Sequence, residues 1–439
     1  MGSIGEKTYS VPSEARHLLD QAILNNKLIP TLPKEIHEAA KYLSYTGNAL
    51  PSIPINWRFA ESAAALKGFE ACMLNVLRSK KFGVGFDDVK IDTDHASLFF
   101  MTPFLTQLVN KQDEVEKINF FDPKVMEGLG FKNCDLHRAT ADVHRVLATN
   151  IYRTADGRYY HCHGKFLRCR SHDLDLSLTS AAGSLNPEPT LTALGLSLNG
   201  ERGDTYDTAV ERIQGAVSQH DSASLDTLMN DKYKQAGTIA YTADEFSASE
   251  HGKANAHVGL YEIHKAEGSS QPASGWPEHP SMPSSPQRPL AGLKVVDLTR
   301  IIAAPTITRS LAEMGASVMR ITSPNVTDMS TLHQDLMWGK WNCSLDLKKN
   351  PGDREKLKAL IAEADVVVEG YRPGAMARNG FGREDVFELV RERGRGVVHV
   401  RENCYGWYGP WMGRSGWQQI SDAVSISQKR PAYRFWNCD

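Results

Sequence analysis

The 439-residue chain lacks the features that mark secreted, membrane-spanning or nucleic-acid-binding proteins. Its seven cysteines are scattered and odd in number, with no CxxC spacing, which argues against a disulfide framework. The polar start has no apolar signal core, and no apolar run is long enough to span a bilayer. The 50 basic and 52 acidic residues nearly cancel. We therefore expect an intracellular, cytoplasmic protein without nucleic-acid or membrane partners, and peroxisome and mitochondrion stay open as compartments.

The glycine-rich loops that bind nucleotide phosphates are also missing. After the first apolar strand of the C-terminal half, the turn reads Thr299-Arg-Ile-Ile-Ala-Ala-Pro305, without the glycines that let a backbone approach a pyrophosphate. No GxxxxGK[ST] pattern occurs anywhere in the chain. These absences argue against a dinucleotide-binding or P-loop protein, and no tightly bound cofactor is predicted.

One segment rich in proline and serine divides the chain. Residues 268–289 contain six prolines and six serines, a composition that cannot hold a ladder of backbone hydrogen bonds. We predict an N-terminal domain over 1–267, a linker over 268–289 and a C-terminal domain over 290–439.

Strand and helix patterns alternate in the C-terminal half, which predicts an α/β fold with a Rossmann-like parallel sheet covered by helices. The predicted strands are Lys294–Leu298, Gly315–Ile321, Asp365–Glu369 and Gly396–Val400, and the predicted helices are Ala304–Met314, 352–363 and Asp385–Glu392. Ligands of such sheets bind at the carboxyl ends of the strands. Arg300, Tyr371 and Tyr405 follow those ends.

The N-terminal half contains long helical patterns and a hairpin. Residues 58–79 are rich in Ala and Leu and predict a helix, in which Gly68 is the weakest helix former. Residues 152–163 predict a hairpin with Asp-Gly at its turn. His161 and His163 alternate around Cys162 and could share a metal ion on one face of a strand. Because no second ligand pair follows, we prefer a packed strand and predict no metal site.

The C-terminal half resembles the opening part of family III CoA-transferases of the CaiB/BaiF type, which include formyl-CoA transferase-like and α-methylacyl-CoA racemase-like proteins. The motifs that carry the resemblance are Pro289–Pro305, Leu311–Ile321, Ser344–Lys348, Ala364–Gly374 and Tyr405–Pro410. The resemblance implies that CoA is a substrate and product, that it lies along the strand ends, and that the protein forms a homodimer.

Positions that match the family's CoA contacts carry its binding roles over by resemblance. They are Arg300, Ile301, Ile302, Leu345, Lys348, Tyr371, Arg372 and Arg378. Tyr371 would cover the adenine, while Lys348 and Arg378 would meet phosphate. The sequence departs from the family at Thr322-Ser323, Lys340-Trp341 and Gly416-Trp417-Gln418.

The family's nucleophilic aspartate would fall beyond Asp439. We therefore interpret 290–439 as a truncated family half, with a tail after Ile426 that no longer resembles the family. Residues 1–267 resemble the family more faintly and predict a degenerate α/β half fused in front. In that fainter resemblance Glu61 falls close to the nucleophile position, and its carboxylate could attack a thioester carbonyl.

Three functions are compatible with these motifs. The first is a CoA-transferase that moves CoA from an acyl-CoA donor to a carboxylic acid acceptor. The second is an α-methylacyl-CoA racemase, which needs an acid and a base rather than a nucleophile. The third is a catalytically inactive CoA-binding or assembly protein, since the usual aspartate is missing. The sequence identifies neither the acyl group nor the acceptor.

Residues 165–183 interrupt the hairpin region with a pattern that no neighbouring segment continues. Joining His163-Gly164 directly to Ser184 gives the junction His-Gly-Ser-Leu-Asn, which resembles how related fungal-type chains continue. We interpret the insert as a retained in-frame intron, with a natural surface-loop insertion as the alternative.

Overall fold

The computed structural model describes residues 9–29, 31–53, 58–116, 123–163, 185–268, 271–272 and 274–424. The predicted insert at 165–183 and the tail from 425 lie outside the described residues. The chain divides into two compact units. Unit 1 comprises the described residues of Met1–Thr106, His257–Ser270 and Pro277–Gly292, and unit 2 those of Gln107–Ala256, Gln271–Trp276 and Leu293–Asp439.

Unit 1 is built around one long helix. Its elements are α1 Val11–Leu18, α2 Ile36–Ala39, β1 Leu43–Thr46, α3 Phe59–Phe82, β2 Val89–Asp92 and α4 Thr93–Leu98. The helix predicted over 58–79 is therefore confirmed as α3, and it ends at Gly83, whose φ of 69° provides a left-handed C-terminal cap. Strands β1 and β2 pair in parallel.

Gly68 has a packing role that its low helix propensity conceals. A Cβ at this position would lie 2.0 Å from the Tyr45 hydroxyl and 2.8 Å from Leu43 Cδ2. Only glycine lets α3 approach strand β1 this closely, so the loss of helix propensity is the cost of a close contact between helix and strand.

Unit 2 begins with short elements and an antiparallel sheet. The elements before residue 257 are β3 Leu108–Val109, β4 Val115–Glu116, α5 Pro123–Gly128, α6 Val143–Leu147, β5 Thr149–Arg153, β6 Tyr159–His163, α7 Glu188–Ala193, α8 Tyr206–Val217, α9 Ser222–Thr227, β7 Gly237–Ile239, α10 Ala243–Ala248 and α11 Glu250–Asn255. Strands β5 and β6 form the predicted hairpin, with Gly157 at φ 77° in its turn, and β7 pairs with β6.

A five-stranded parallel sheet forms the rest of unit 2, which confirms the predicted α/β fold of the C-terminal half. Its elements are β8 Lys294–Leu298, α12 Ala303–Glu313, β9 Ser317–Thr322, α13 His333–Leu336, β10 Lys340–Ser344, α14 Pro351–Glu363, β11 Val366–Glu369, α15 Ala375–Arg378, α16 Arg383–Leu389, β12 Val398–Arg401 and α17 Gln418–Val424. The strand order is β10-β9-β8-β11-β12. All four predicted strands are present, and β10 is an edge strand that the pattern did not predict.

The sheet packs its apolar residues against the helices that connect the strands. One cluster contains Val296 and Val367 from the sheet with Leu357 and Ile361 from α14 and Val386 from α16. This packing holds the strands in register, and parallel pairing brings the loops after β8, β9, β10 and β11 to one edge. The candidate site lies there.

Residues 268–289 contain turns and two isolated bridges, His279–Met282 and Ser285–Arg288, in the part that the structure describes. The segment does not form one boundary between compact units, since 271–276 belong to unit 2 and 277–292 to unit 1. The domain limits at 267 and 290 stay a prediction.

Candidate functional site

The loop from β8 to α12 places three candidate residues at the carboxyl edge of the sheet. Ile301 has φ 73°, a left-handed conformation that is unfavourable for a β-branched side chain. Its side chain is buried with Leu185, Leu332 and Leu336, and this packing holds the strained backbone in place. The next residue, Ile302, is half-buried and precedes the first turn of α12.

Arg300 is fixed from two sides. Its Nη1 donates to the Thr327 carbonyl at 2.9 Å, and its guanidinium lies 5.6 Å from the ring centroid of Trp417. Burial lowers the pKa of Arg300, although the group keeps its charge because arginine starts so high. The sequence identified Arg300, but it gave no indication of the distant Trp417 as the stacking partner.

Tyr371 follows β11 and lies near Arg300. Burial raises the pKa of the Tyr371 phenol to about 12, and the charge of Arg300 acts in the opposite direction. The neighbouring Gly370 is required by space, because a Cβ there would lie 2.5 Å from Ala304 Cβ in α12. Glycine thus lets the end of β11 pass the first turn of α12, and it brings Tyr371 to the same edge as Arg300.

A polar network that sequence analysis missed lies beneath this edge. Asp328 pairs with Arg320 on β9 and accepts from His333 Nε2 at 3.2 Å. Burial alone would raise the pKa of Asp328, but the His333 hydrogen bond and the charge of Arg320 bring it down to about 2. The only sequence signal was a charged residue, Arg320, inside an apolar strand.

Lys348 and Arg378 form a second group: Lys348 lies on the loop after β10, and Arg378 is the last residue of the short helix α15 in the segment after β11. Both side chains are exposed, and neither takes part in an ion pair among the residues that the structure describes. Arg354 of α14 lies between the two loops: its Nη1 donates to the Leu347 carbonyl at 3.2 Å and its Nη2 to the Asn379 carbonyl at 2.7 Å. Sequence analysis did not identify Arg354.

The other two predicted contact residues have different environments. Leu345 is buried in the core cluster of the sheet, and its amide donates to the Thr322 carbonyl at 2.9 Å. Arg372 is exposed, and its Nη1 donates to the Lys234 carbonyl at 3.1 Å.

A buried ion pair supports the β8–α12 loop. Lys340 Nζ lies 3.0 Å from Asp297 Oδ2, and both side chains are 0% exposed. Lys340 also donates to the Pro305 carbonyl at 2.9 Å and to Thr308 Oγ1 at 2.7 Å. Burial lowers the pKa of Lys340, and the Asp297 carboxylate opposes that shift. The pair ties strand β10 to the first turns of α12.

Glu61, the proposed nucleophile, belongs to unit 1 and stands in the first turn of α3. The residue is 2% exposed. Its Oε1 accepts from the Tyr9 hydroxyl at 2.7 Å and from Arg58 Nε at 3.4 Å. Its Oε2 has no hydrogen-bond partner among the described residues. Burial and the Glu61 carboxylate raise the pKa of Tyr9 to about 12, which keeps the phenol protonated as a donor.

The two histidines of the hairpin are packed side chains. His161 Nε2 and His163 Nδ1 are 2.9 Å apart, and both residues are buried. Burial lowers the pKa of His161 to about 4. Within the described residues, no group of three or more His, Cys, Asp or Glu side chains could hold a metal ion.

None of the helices in the described part of the chain is both long enough and apolar enough to cross a membrane.

Comparison with known proteins gives the class of this fold and site. Residues 290–427 match the family model for CoA-transferase family III. The chain is 56% identical over 414 residues to the acetyl-coenzyme A transferase nodX of Hypoxylon pulicicidum, covering 94% of this chain and 66% of that relative. It is 33% identical over 392 residues to an acyl-CoA transferase of Gibberella moniliformis, covering 88% of this chain and 62% of the relative. Residues 290–427 therefore belong to CoA-transferase family III.

A solved CAIB/BAIF family protein from Brucella suis is 26% identical, with a TM-score of 0.29 over 31% of this chain and 39% of that chain. Of the two fungal relatives, the chain spans 66% and 62% of the length, respectively. The predicted fusion of a degenerate half to a truncated half stays a prediction.

Proposed function

We propose that the protein is a CoA-transferase that moves CoA from an acyl-CoA donor to a carboxylic acid acceptor. The observation that carries the proposal is the position of Arg300, Lys348, Tyr371 and Arg378 in the segments that follow the parallel strands β8, β10 and β11, inside the part of the chain that matches the family. Since one relative is named an acetyl-coenzyme A transferase, acetyl-CoA is the first donor to try.

The proposed CoA site combines planar and charged groups. Arg300–Ile302 and Tyr371 would line the nucleotide, and Leu345 would contribute its backbone. Lys348, Arg372 and Arg378 supply positive charge for the phosphates. Two exposed cations without acidic partners among the described residues suit a polyanionic ligand, because no internal ion pair has to break on binding.

Glu61 is the proposed nucleophile. One Glu61 oxygen would bond to the thioester carbonyl carbon, and the C–S bond would break to release CoA thiolate and leave a mixed anhydride. The thiolate would then attack the glutamyl carbonyl, releasing the donor acid and leaving a glutamyl-CoA thioester. The acceptor carboxylate would reverse these two steps. The support for this role is a buried carboxylate with one oxygen unpaired among the described residues.

Calorimetric titration with CoA tests the binding site. Arg378→Ala is expected to weaken CoA binding by about 1.5–3 kcal/mol, since a charge-assisted contact to phosphate would be lost. Lys358→Ala is the control, because Lys358 is paired with Glu355 on the surface of α14. An unchanged dissociation constant for Arg378→Ala would remove this residue from the site.

Acyl transfer is tested with acetyl-CoA, a panel of carboxylic acids and hydroxylamine as a trap. A new acyl-CoA with a trapped carboxyl adduct supports the transferase. Exchange of the α-proton of a 2-methylacyl-CoA without an adduct would indicate a racemase instead. CoA binding with neither reaction would indicate a binding protein. Glu61→Gln should abolish the adduct, whereas Glu70→Gln, on the same helix and paired with Lys67, should leave it.

The remaining proposals concern the setting of the protein. By family resemblance we propose a homodimer and a cytoplasmic, intracellular location, with peroxisome and mitochondrion open. Analytical ultracentrifugation would test the first proposal, and microscopy of the tagged chain would test the second.

A further inference from the structure

Arg354 is a half-buried cation in the first turns of α14, and nothing above assigns it a function. Its two terminal nitrogens bind two different loops, one through the Leu347 carbonyl and the other through the Asn379 carbonyl. Its guanidinium also lies 5.1 Å from the ring centroid of the buried Phe381. The planar guanidinium is held over the Phe381 ring and so has one orientation. Because it binds both carbonyls in that orientation, the distance between the two carbonyls is fixed.

Each carbonyl that Arg354 binds is adjacent in sequence to an exposed cation. Leu347 precedes Lys348, and Asn379 follows Arg378. The loops otherwise belong to different βα units and have separate internal supports. Asp346 Oδ1 accepts from the backbone amides of Lys348 and Lys349, at 3.1 and 3.0 Å.

The turn that carries Arg378 has its own support as well. Asn379 Nδ2 donates to the Ala375 carbonyl at 2.8 Å and closes the short helix α15. Within the described residues, Arg354 is therefore the side chain that donates to both loops.

From this geometry we propose that Arg354 is the positioning residue of the phosphate-binding site: it holds Lys348 and Arg378 at the separation that one CoA polyphosphate needs. The inference rests on the proposed function. Arg354 acts through the two carbonyls and needs no contact with the ligand. Two cations on independent segments would each bind phosphate weakly, whereas one guanidinium that binds both backbone segments fixes their separation before the ligand arrives.

Two variants of Arg354 separate the role of its two-carbonyl contact from the role of its charge. Arg354→Met removes the contacts with the two carbonyls and the positive charge, while Arg354→Lys keeps the charge but cannot span two carbonyls. Arg393→Met is the matched control, because Arg393 Nη1 binds the Ala362 and Ala364 carbonyls at 3.0 and 2.6 Å before β11, away from the carboxyl ends of the strands. All variants are made in the full chain, and each is melted to check folding.

We expect Arg354→Met and Arg354→Lys to raise the CoA dissociation constant by about 10-fold each, and Arg393→Met by less than about twofold. In a Lys348→Met/Arg378→Met background, Arg354→Met should add less than about twofold, because the cations that it positions are gone.

Normal affinity in Arg354→Lys would show that charge rather than position matters and would overturn the inference. A full effect in the double-variant background, or no effect of Arg354→Met in the parent, would do the same. A parent chain that does not bind CoA would overturn the proposed function first, and that result is distinct from these.

Discussion

At the scale of single residues, the Asp297–Lys340 pair shows how a charged group can lie inside the sheet. Lys340 begins the edge strand β10, and its ammonium reaches past β9 to the carboxylate of Asp297 on β8. Thr299 and Thr308 complete the carboxylate's hydrogen bonds. All the polar partners lie next to the β8–α12 loop, so the pair supports the backbone of Arg300 and Ile301 as well as the sheet.

Lys340→Met is expected to destabilise the protein by about 3–5 kcal/mol, because it leaves Asp297 charged and buried without its cation. Urea unfolding at pH 7 measures the change. The double variant Asp297→Leu/Lys340→Met should recover most of the loss, since both charges are then absent. Lys356→Met, which removes a mostly exposed partner of Asp353, should cost less than about 1 kcal/mol. Equal losses in the two single variants would contradict the buried-pair interpretation.

At the scale of elements, strand β12 and helix α16 enclose an unusual histidine. The His399 side chain is 1% exposed, and neither ring nitrogen makes a hydrogen bond within the described residues. Its Nε2 lies 3.6 Å from Glu369 Oε2, and its ring meets Phe387 of α16 edge-on. Burial, with smaller effects from Arg401 and Arg383, lowers the pKa of His399 to about 4. Burial therefore outweighs the nearby carboxylate, and His399 is neutral at pH 7.

This pKa predicts a loss of stability in acid. The unfolded chain takes up a proton near the ordinary pKa of 6.5, but folded His399 does so only near 4. The stabilising contribution is thus complete above pH 6.5 and is lost as the pH falls from 6.5 towards 4. His399→Leu should unfold with a free energy that falls less steeply in this window, by up to about 1.4 kcal/mol per pH unit.

The control for this prediction is His17→Leu, at an exposed position on α1. It should leave the slope of stability against pH unchanged. Glu369, whose pKa burial raises, changes stability in the opposite direction as the pH falls, because it binds a proton more readily in the folded protein. Identical slopes for His399→Leu and the parent would show that His399 titrates normally in the folded protein.

The same elements show what a sequence can predict. The three valines at 366–368 form a continuous apolar run, because both faces of the strand pack against protein, and so strand β11 could be located. Strand β10 reads Lys-Trp-Asn-Cys-Ser. Its Lys340 side chain is buried although it is polar, and Trp341 is exposed although it is apolar, so the sequence shows no alternation of apolar and polar residues that would predict a strand. Its position depends on Asp297, which is distant in the chain.

The candidate site divides in the same way. Arg300 and Tyr371 could be predicted together because they follow strands that pair in parallel, and parallel pairing determines where strand ends meet. Trp417 could not, since its ring meets Arg300 from a segment far away in sequence. Arg354 could not, since its two partners are backbone carbonyls, which carry no residue signal. Glu61 was identified by resemblance alone, and its burial depends on Tyr9 and the fold of unit 1.

At the scale of the whole molecule, unit 2 combines parts of the chain that flank the proline-rich segment. His251 of α11 binds the Tyr405 carbonyl through Nε2 at 2.9 Å and stacks on Trp411, with ring centroids 4.8 Å apart. Tyr241 donates its amide to the Ala423 carbonyl at 3.0 Å. Arg414 pairs with the buried Asp226 at 2.8 Å. Residues 226–251, which include strand β7, are thus supported in part by residues 405–424.

A chain shortened to residues 1–267 is therefore expected to lose the structure of 107–256. Burial raises the pKa of Asp226 and Arg414 lowers it, so removal of Arg414 leaves a buried carboxyl without its cation. Ala236, in the cluster with Tyr405, Ile420 and Val424, would also be exposed. Hydrogen exchange should show that the amides of Gly237–Ile239 lose protection in 1–267, while those in the middle of α3, within the core of unit 1, keep it. Equal protection of Gly237–Ile239 in both chains would show that 1–267 folds alone and would support the domain boundary predicted from the linker.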